Sequence, residues 1–186
     1  MNQIMEGART CFVAKGFHGS SIAQISDAAR VSIANIYQYY PSKQALVVAV
    51  VEADLARHLE LINRFIDTDY RAVNVEATLR ELFTTEQGHK IAVLRAEIVS
   101  EGSRNDDVAK LLRDAEASFT QVFLRGVEAG QQDGRLPADV RAADVVERIA
   151  LLFEGAMRLY IFAPDEGANL LARLAEQVER TVYPEP

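Results

Sequence analysis

Between Ser32 and Tyr39 the chain gathers Asn35, Tyr37, Gln38 and Tyr39, side chains that offer amide and hydroxyl groups on a very short segment. Groups of this kind read nucleic-acid edges. A glutamine amide such as that of Gln38 can pair with adenine, and Ile33 or Ala34 can touch a thymine methyl. Ile36 supplies an apolar underside. A short helix with such an underside and a polar, aromatic outer face suits the major groove of DNA. Ile33, Ala34, Asn35 and Gln38 stand where base edges would be met. Ser21 stands where its hydroxyl and backbone N–H can cap a helix, meet a phosphate, or do both.

Three short-range signals predict the elements that hold these groups. Ser21, Ser32 and Ser42 are good N-cap residues, and Gln24 lies at the capping-box spacing from Ser21. Ile22, Ile25, Ala29, Val31 and Ile36 recur at helical spacing. A first helix over about 2–15, with Ile4, Ala8, Cys11 and Phe12 on one face, should end at Gly16. Second and third helices follow at about 21–28 and 32–39, and Pro41 closes that unit. Ser42 opens a fourth helix to about residue 66, roughly 37 Å long and able to belong to two domains.

In order and at these spacings, several pieces resemble the DNA-binding domain of the tetracycline-repressor (TetR) family of transcription regulators, over residues 4–50. They are Ile4-Met5-Glu6-Gly7-Ala8 with Phe12 and Gly16-Phe17, the Ser20-Ser21 pair, Ile36-Tyr37-x-Tyr39-Tyr40, and Pro41-Ser42-Lys43-x-Ala45-Leu46. The resemblance implies phosphate contacts at Tyr37, Tyr39 and Lys43 and a core place for Tyr40. With Ser21, Ser32, Ile33, Ala34, Asn35 and Gln38 these make up the expected DNA-binding residues. His18 reads as a turn residue, with a phosphate contact as the alternative. Two departures stand out. Arg30 occupies the position before Val31 where the family usually has glycine for its positive φ, so the turn is expected to be strained or reshaped. Only three residues precede Ile4, so the basic arm of many members is missing, which implies weaker binding or a shortened chain.

Beyond the fourth helix the pattern stays helical, with spans expected at about 75–86, 89–102 after Gly88, 106–132, 141–162 and 167–182. Asp133-Gly134-Arg135-Leu136-Pro137 is a clear turn. The span at 141–162 is apolar over more of its circumference than one core stripe needs. It can serve a partner as well as its own core, and Gly155-Ala156 would allow close helix approach. Val146, Ala150, Phe153, Ala156, Leu171, Leu174 and Val178 are the expected seam of a four-helix homodimer interface; a monomer with covered terminal helices is the alternative. The family's effector pocket lies in this region. Here that implies a pocket lined by Phe65, Phe83, Phe119, Phe123, Phe153 and Met157, with Arg95, Gln121 and Arg158 as polar anchors. Ordinary core packing for the rings, and ion pairs to Glu97, Glu101 or Glu154 for the arginines, are the alternatives.

Charge divides along the chain. Residues 1–50 hold Arg9, Lys15, Arg30 and Lys43 against Glu6 and Asp27, a net +2, while the remainder holds 16 basic and 25 acidic residues, a net −9. A weakly basic head on an acidic body fits a protein that touches phosphate at one end. The single cysteine, Cys11, excludes an intramolecular disulfide and is expected to be buried, with a redox-sensing thiol as the alternative. No apolar run nears the roughly 20 residues that span a bilayer, and Met1-Asn2-Gln3-Ile4 has no signal-peptide layout. No metal motif, phosphate loop or nucleophile elbow appears. The expected protein is all-α and cytoplasmic, with a helix-turn-helix domain over 1–46 and a helical-bundle domain for effector binding and dimerisation over 47–186. It should need no cofactor and perform no catalysis. It should act as a homodimeric repressor on a near-palindromic operator in double-stranded DNA, released by a small molecule. The alternative is a helical small-molecule-binding protein with weak or lost specific DNA binding.

Overall fold

The helix starts follow the serines. In the computed structural model, which describes residues 2–66, 69–82 and 85–184, Ser21 Oγ accepts the Gln24 N–H at 3.2 Å and the Ser21 N–H donates to Gln24 Oε1 at 3.0 Å, closing the capping box. Ser32 Oγ takes the Asn35 N–H at 3.1 Å and Ser42 Oγ takes the Ala45 N–H at 3.0 Å. Each such cap is worth about 1 kcal/mol. That is enough to fix where three successive short-range elements begin.

Among the described residues all regular structure is helical: α1 Asn2–Gly19, α2 Ile22–Ala29, α3 Ile33–Tyr39, α4 Lys43–Ile66, α5 Ala72–Leu82, α6 Thr85–Gly102, α7 Asp106–Gln132, α8 Ala142–Phe162 and α9 Gly167–Val182, with a 3-10 turn at Pro164–Glu166 before α9. α1 is interrupted at Gly16, whose φ of 72° and ψ of 171° lie in a region open essentially to glycine alone. The helix proper therefore stops where the sequence placed its end, and Phe17–Gly19 form a separate turn.

Gly88 departs from expectation. It does not separate two helices but lies buried within α6, where a Cβ would come within 2.9 Å of the Tyr160 ring. The same residue type that breaks a helix also permits close approach, and here packing decides. The preceding helix, α5, begins at Ala72 rather than near 75 and ends at Leu82. Phe83 lies outside the described residues.

Two compact units divide the chain without following its order. One comprises residues 1–57 and 93–115, the other 58–92 and 116–186. α4, α6 and α7 thus each give a stretch to both. In the first unit α1 packs on α2, with Ile4, Phe12, Ile25, Ile36 and Leu46 excluded from water and the Phe12 and Phe17 rings meeting edge to face at 4.7 Å. In the second, α9 packs on α5 and α8. Its core joins Phe65, Tyr70, Phe123, Ile149, Tyr160 and Ala175. Glu179 of α9 ties down the start of α5, accepting the Ala72 N–H at 2.8 Å and Arg71 Nη1 at 3.0 Å.

Candidate functional site

α3 presents the polar surface read from the sequence. Ile36 is fully buried beneath it, while Ile33, Tyr37 and Tyr39 are 44%, 48% and 50% exposed. Ser32, Ala34 and Gln38 are also exposed and Asn35 is half-buried. Large apolar or aromatic side chains left in water cost a protein solubility unless a partner covers them. Ser21, at the start of α2, is exposed as well. Tyr40 is half-buried, and burial pushes its phenol up from the ordinary tyrosine value, in keeping with its expected place toward the core.

The turn ahead of α3 closes despite its arginine. Arg30 takes φ 54° and ψ 41°, the left-handed conformation glycine would adopt. Its N–H donates to Asp27 O at 3.2 Å and that of Val31 to Ser26 O at 3.1 Å, the paired bonds of a Schellman cap. Ser26 Oγ also donates to Val31 O. The left-handed conformation costs an L-residue about 1–2 kcal/mol, and three hydrogen bonds at about 1 kcal/mol each offset it. The strained turn anticipated from Arg30 thus keeps its ordinary shape, and the arginine side chain is exposed.

The α1–α2 turn is held from several sides. Ser20 Oγ donates to Cys11 O at 3.0 Å and Gly16 O at 2.8 Å. Lys43 Nζ, at the start of α4, donates to His18 O at 3.2 Å. Two carboxylates of α6 complete the ring. Glu97 Oε2 accepts the Phe17 N–H at 3.1 Å. Glu101, whose side chain is only 6% exposed, brings Oε2 to 3.2 Å from His18 Nε2 while its Oε1 accepts Asn105 Nδ2 at 2.9 Å. His18 is thus a turn residue with an acidic neighbour. Nothing local in the sequence ties Glu97 or Glu101 to a turn some eighty residues away; only the i,i+4 spacing, which sets both on one helix face, hinted at a shared target.

A buried charge lies in the same unit. Asp54 of α4 is nearly excluded from water, and that burial pushes its carboxyl above the usual range against the pull of Arg9, Arg95 and Arg57. Arg9 is lowered in turn, first by burial and then by Arg57. Arg95, expected as a pocket anchor, is thereby placed in the first unit beside Asp54. Cys11 is buried, and burial raises its thiol.

In the second unit Phe65, Phe123 and Phe153 of the expected aromatic residues come together, away from the expected anchors. The Phe65 ring meets Phe123, Phe153 and Tyr70 edge to face, with centroids 5.8, 5.2 and 5.4 Å apart. Phe119 sits against His58 at 4.7 Å, and Met157 is half-buried against the same core. Gln121 and Arg158 face outward. The residues expected to meet a second subunit also divide. Val146, Ala156, Leu171, Leu174 and Val178 are buried in the chain's own core. Phe153 is half-buried there, and Ala150 alone of the set is exposed. The apolar surface that α8 does leave open is Leu151, Leu159 and Phe162, with Gly155 between them, where a Cβ would meet nothing within 4 Å. A wide apolar arc in sequence does not say which part faces home. Among the described residues no three His, Cys, Asp or Glu side chains are placed to hold a metal ion, and no helix is long and apolar enough to cross a membrane.

Comparison with known proteins adds family relationships to this geometry. The model of bacterial regulatory proteins of the tetR family matches residues 4–50. The HTH-type transcriptional regulator UidR of Escherichia coli K12 is 30% identical over 145 residues, spanning 76% of this chain and 71% of UidR. The HTH-type transcriptional repressor AcnR of Corynebacterium efficiens is 31% identical over 182 residues, 97% of this chain and 90% of AcnR. Among solved structures, a transcriptional regulator FadR from Bacillus subtilis, in complex with stearoyl-CoA, superposes with a TM-score of 0.74 at 16% identity, covering 100% of this chain and 99% of FadR. That last likeness shows a shared all-α fold.

Proposed function

The chain belongs to the tetR family of bacterial regulatory proteins, and on that premise we propose that it is a DNA-binding transcriptional repressor released by a small-molecule effector. The observation that carries this is the α3 surface: a capped, seven-residue helix anchored by buried Ile36, with Ile33, Tyr37 and Tyr39 left in water. Residues 1–46 form the DNA-reading part. Ser32, Ile33, Ala34, Asn35 and Gln38 meet base edges, and Ser21, Tyr37, Tyr39 and Lys43 meet phosphate. Residues 47–186 bind the effector and pair two subunits.

Two recognition helices related by a two-fold axis read a near-palindromic operator, with half-sites spaced by about 34–36 Å per helical turn. The supporting surface for pairing is the outward stripe of α8, Leu151, Gly155, Leu159 and Phe162, at spacings of four, four and three residues on one helix face. Gly155 supports close approach of the partner helix. The aromatic cluster of Phe65, Phe123 and Phe153 is the apolar wall of the effector site. Effector binding shifts the population away from the spacing that fits DNA, by no more than its differential affinity for the two states. A cytoplasmic location and the absence of catalysis follow from this role.

Retention of random-sequence duplexes on the purified protein, followed by sequencing of the retained pool, tests the proposal. An enriched motif with two-fold symmetry is expected. Retention without sequence enrichment contradicts it.

A further inference from the structure

The α1–α2 turn joins two things that the sequence keeps apart: the candidate phosphate contacts of the DNA-reading part, and α6, which lies outside the matched residues 4–50. Lys43 Nζ does not hang free in solvent but donates to His18 O at 3.2 Å. The His18 peptide is positioned in turn by its neighbour, since the Phe17 N–H donates to Glu97 Oε2 at 3.1 Å. Glu97 also presses on Gly16, where an added Cβ would lie 2.8 Å from Oε2. Two residues further on, Ser20 and Ser21 lead into the α2 N-cap.

From this chain of contacts we infer that Glu97 is a positioning residue for phosphate binding: it fixes the α1–α2 turn at the Phe17 N–H, and through His18 O that turn holds the Lys43 ammonium in place, an inference that rests on the duplex-binding role proposed above. A backbone N–H paired to a carboxylate is a charge-assisted hydrogen bond, about twice as strong as a neutral one. Such a bond is well suited to hold a glycine-hinged turn in one conformation. Glu101, on the same α6 face, stands beside the turn with its Oε2 3.2 Å from His18 Nε2. An ammonium held in place binds phosphate with less loss of side-chain freedom than a free lysine, whose rotamer entropy is among the largest of any residue. Acidic groups near a DNA surface ordinarily oppose binding. Here the Glu97 carboxylate is engaged by a backbone N–H and organises a cation instead.

The test is a double-mutant cycle on the full chain, with the duplex enriched from a random pool as probe. Glu97→Ala should weaken affinity about tenfold, even though removing a negative charge would by itself strengthen binding to DNA. It should also flatten the salt dependence toward that of Lys43→Ala, by about one phosphate contact. Glu97→Gln keeps an acceptor oxygen and should recover most of the affinity. Glu97→Ala combined with Lys43→Ala should lose little beyond Lys43→Ala alone, because both act through one contact. Amide exchange at Phe17 should accelerate about tenfold in Glu97→Ala, with little change in α2. Additive losses, or an unchanged Phe17 exchange rate, would overturn the positioning role. If the wild type binds while Glu97→Ala binds equally well or better, only this inference fails. If the wild type enriches no duplex, the repressor reading fails as well.

Discussion

Ser26 and Val31 close a double bridge around the turn into α3: the Val31 N–H donates to Ser26 O at 3.1 Å, and Ser26 Oγ donates back to Val31 O. Arg30 is enclosed by it in the left-handed conformation, at φ 54°. Arg30→Gly removes the steric cost but frees the unfolded chain, so stability should rise by up to about 1 kcal/mol, with duplex binding retained. Denaturant midpoints measure this. A clear loss of stability would show that the arginine side chain, not the backbone bonds, holds the turn. Ser26→Ala should act oppositely, costing about 1 kcal/mol.

Base and phosphate contacts separate by their response to sequence and salt. Gln38→Ala should relax preference at one or two base positions while leaving the salt slope alone. Lys43→Ala should weaken binding to every duplex alike and lower the salt slope by about one. Anisotropy titrations over a set of single-base variants, at two or more salt concentrations, distinguish the two patterns. Identical patterns would remove the distinction drawn between these side chains.

Pairing of subunits is expected to depend on the outward stripe of α8. Phe162→Glu or Leu159→Glu should give a folded monomer, because each side chain is exposed in the single chain and its charge would be desolvated only at an interface. Leu174→Glu should instead unfold the second unit, since Leu174 is buried among its own chain's residues. Sedimentation and circular dichroism together read the outcome. A Phe162→Glu dimer as tight as the wild type would move the interface elsewhere.

Acid should loosen the α5–α9 junction. The Ala72 N–H, then Arg71, hold the Glu179 carboxyl below the ordinary glutamate value. A group lowered in the folded state contributes stability that is complete above its unfolded value of about 4.3 and is lost as pH falls through the folded one. Glu179→Gln should therefore lower the urea midpoint at pH 7, and its difference from wild type should shrink below about pH 4.3. A difference independent of pH would show that the charge is not what matters there.

Truncation in the aromatic cluster should affect effector response more than DNA affinity. Phe123→Ala leaves the α3 surface untouched, removes a ring in contact with Phe65, and should cost about 3–5 kcal/mol in the second unit. Operator affinity measured below the unfolding temperature should stay near wild type, while the effector concentration for release changes. An effector response equal to that of the wild type would place the effector elsewhere.

What could be read from sequence was short in range. The serine caps, the Gln24 capping box and the Gly16 stop each depend on residues within four positions, and the structure carries all of them. Gly88 reads in sequence as a break because a glycine that ends a helix and one that admits a tyrosine ring look alike until the ring is placed. Leu171, Leu174 and Val178 make an apolar stripe that, in sequence, records that something covers it and not which chain does so; in the structure they pack in their own chain's core. Sequence alone does not separate Arg95 from the phenylalanines expected around a pocket; the structure places it in the first unit, near Asp54. The contacts of Glu97 and Glu101 with the α1–α2 turn are not legible in sequence, because their partners are about eighty residues away.

The proposed repressor role requires that α3 reads base sequence in duplex DNA. The most direct measurement is the affinity of the wild-type protein for its selected duplex relative to a scrambled duplex of equal length, at one fixed near-physiological salt concentration. A ratio of at least about a thousandfold is predicted for specific recognition, falling markedly when Gln38 is replaced by alanine. A ratio near one, with both affinities set by salt alone, would contradict it.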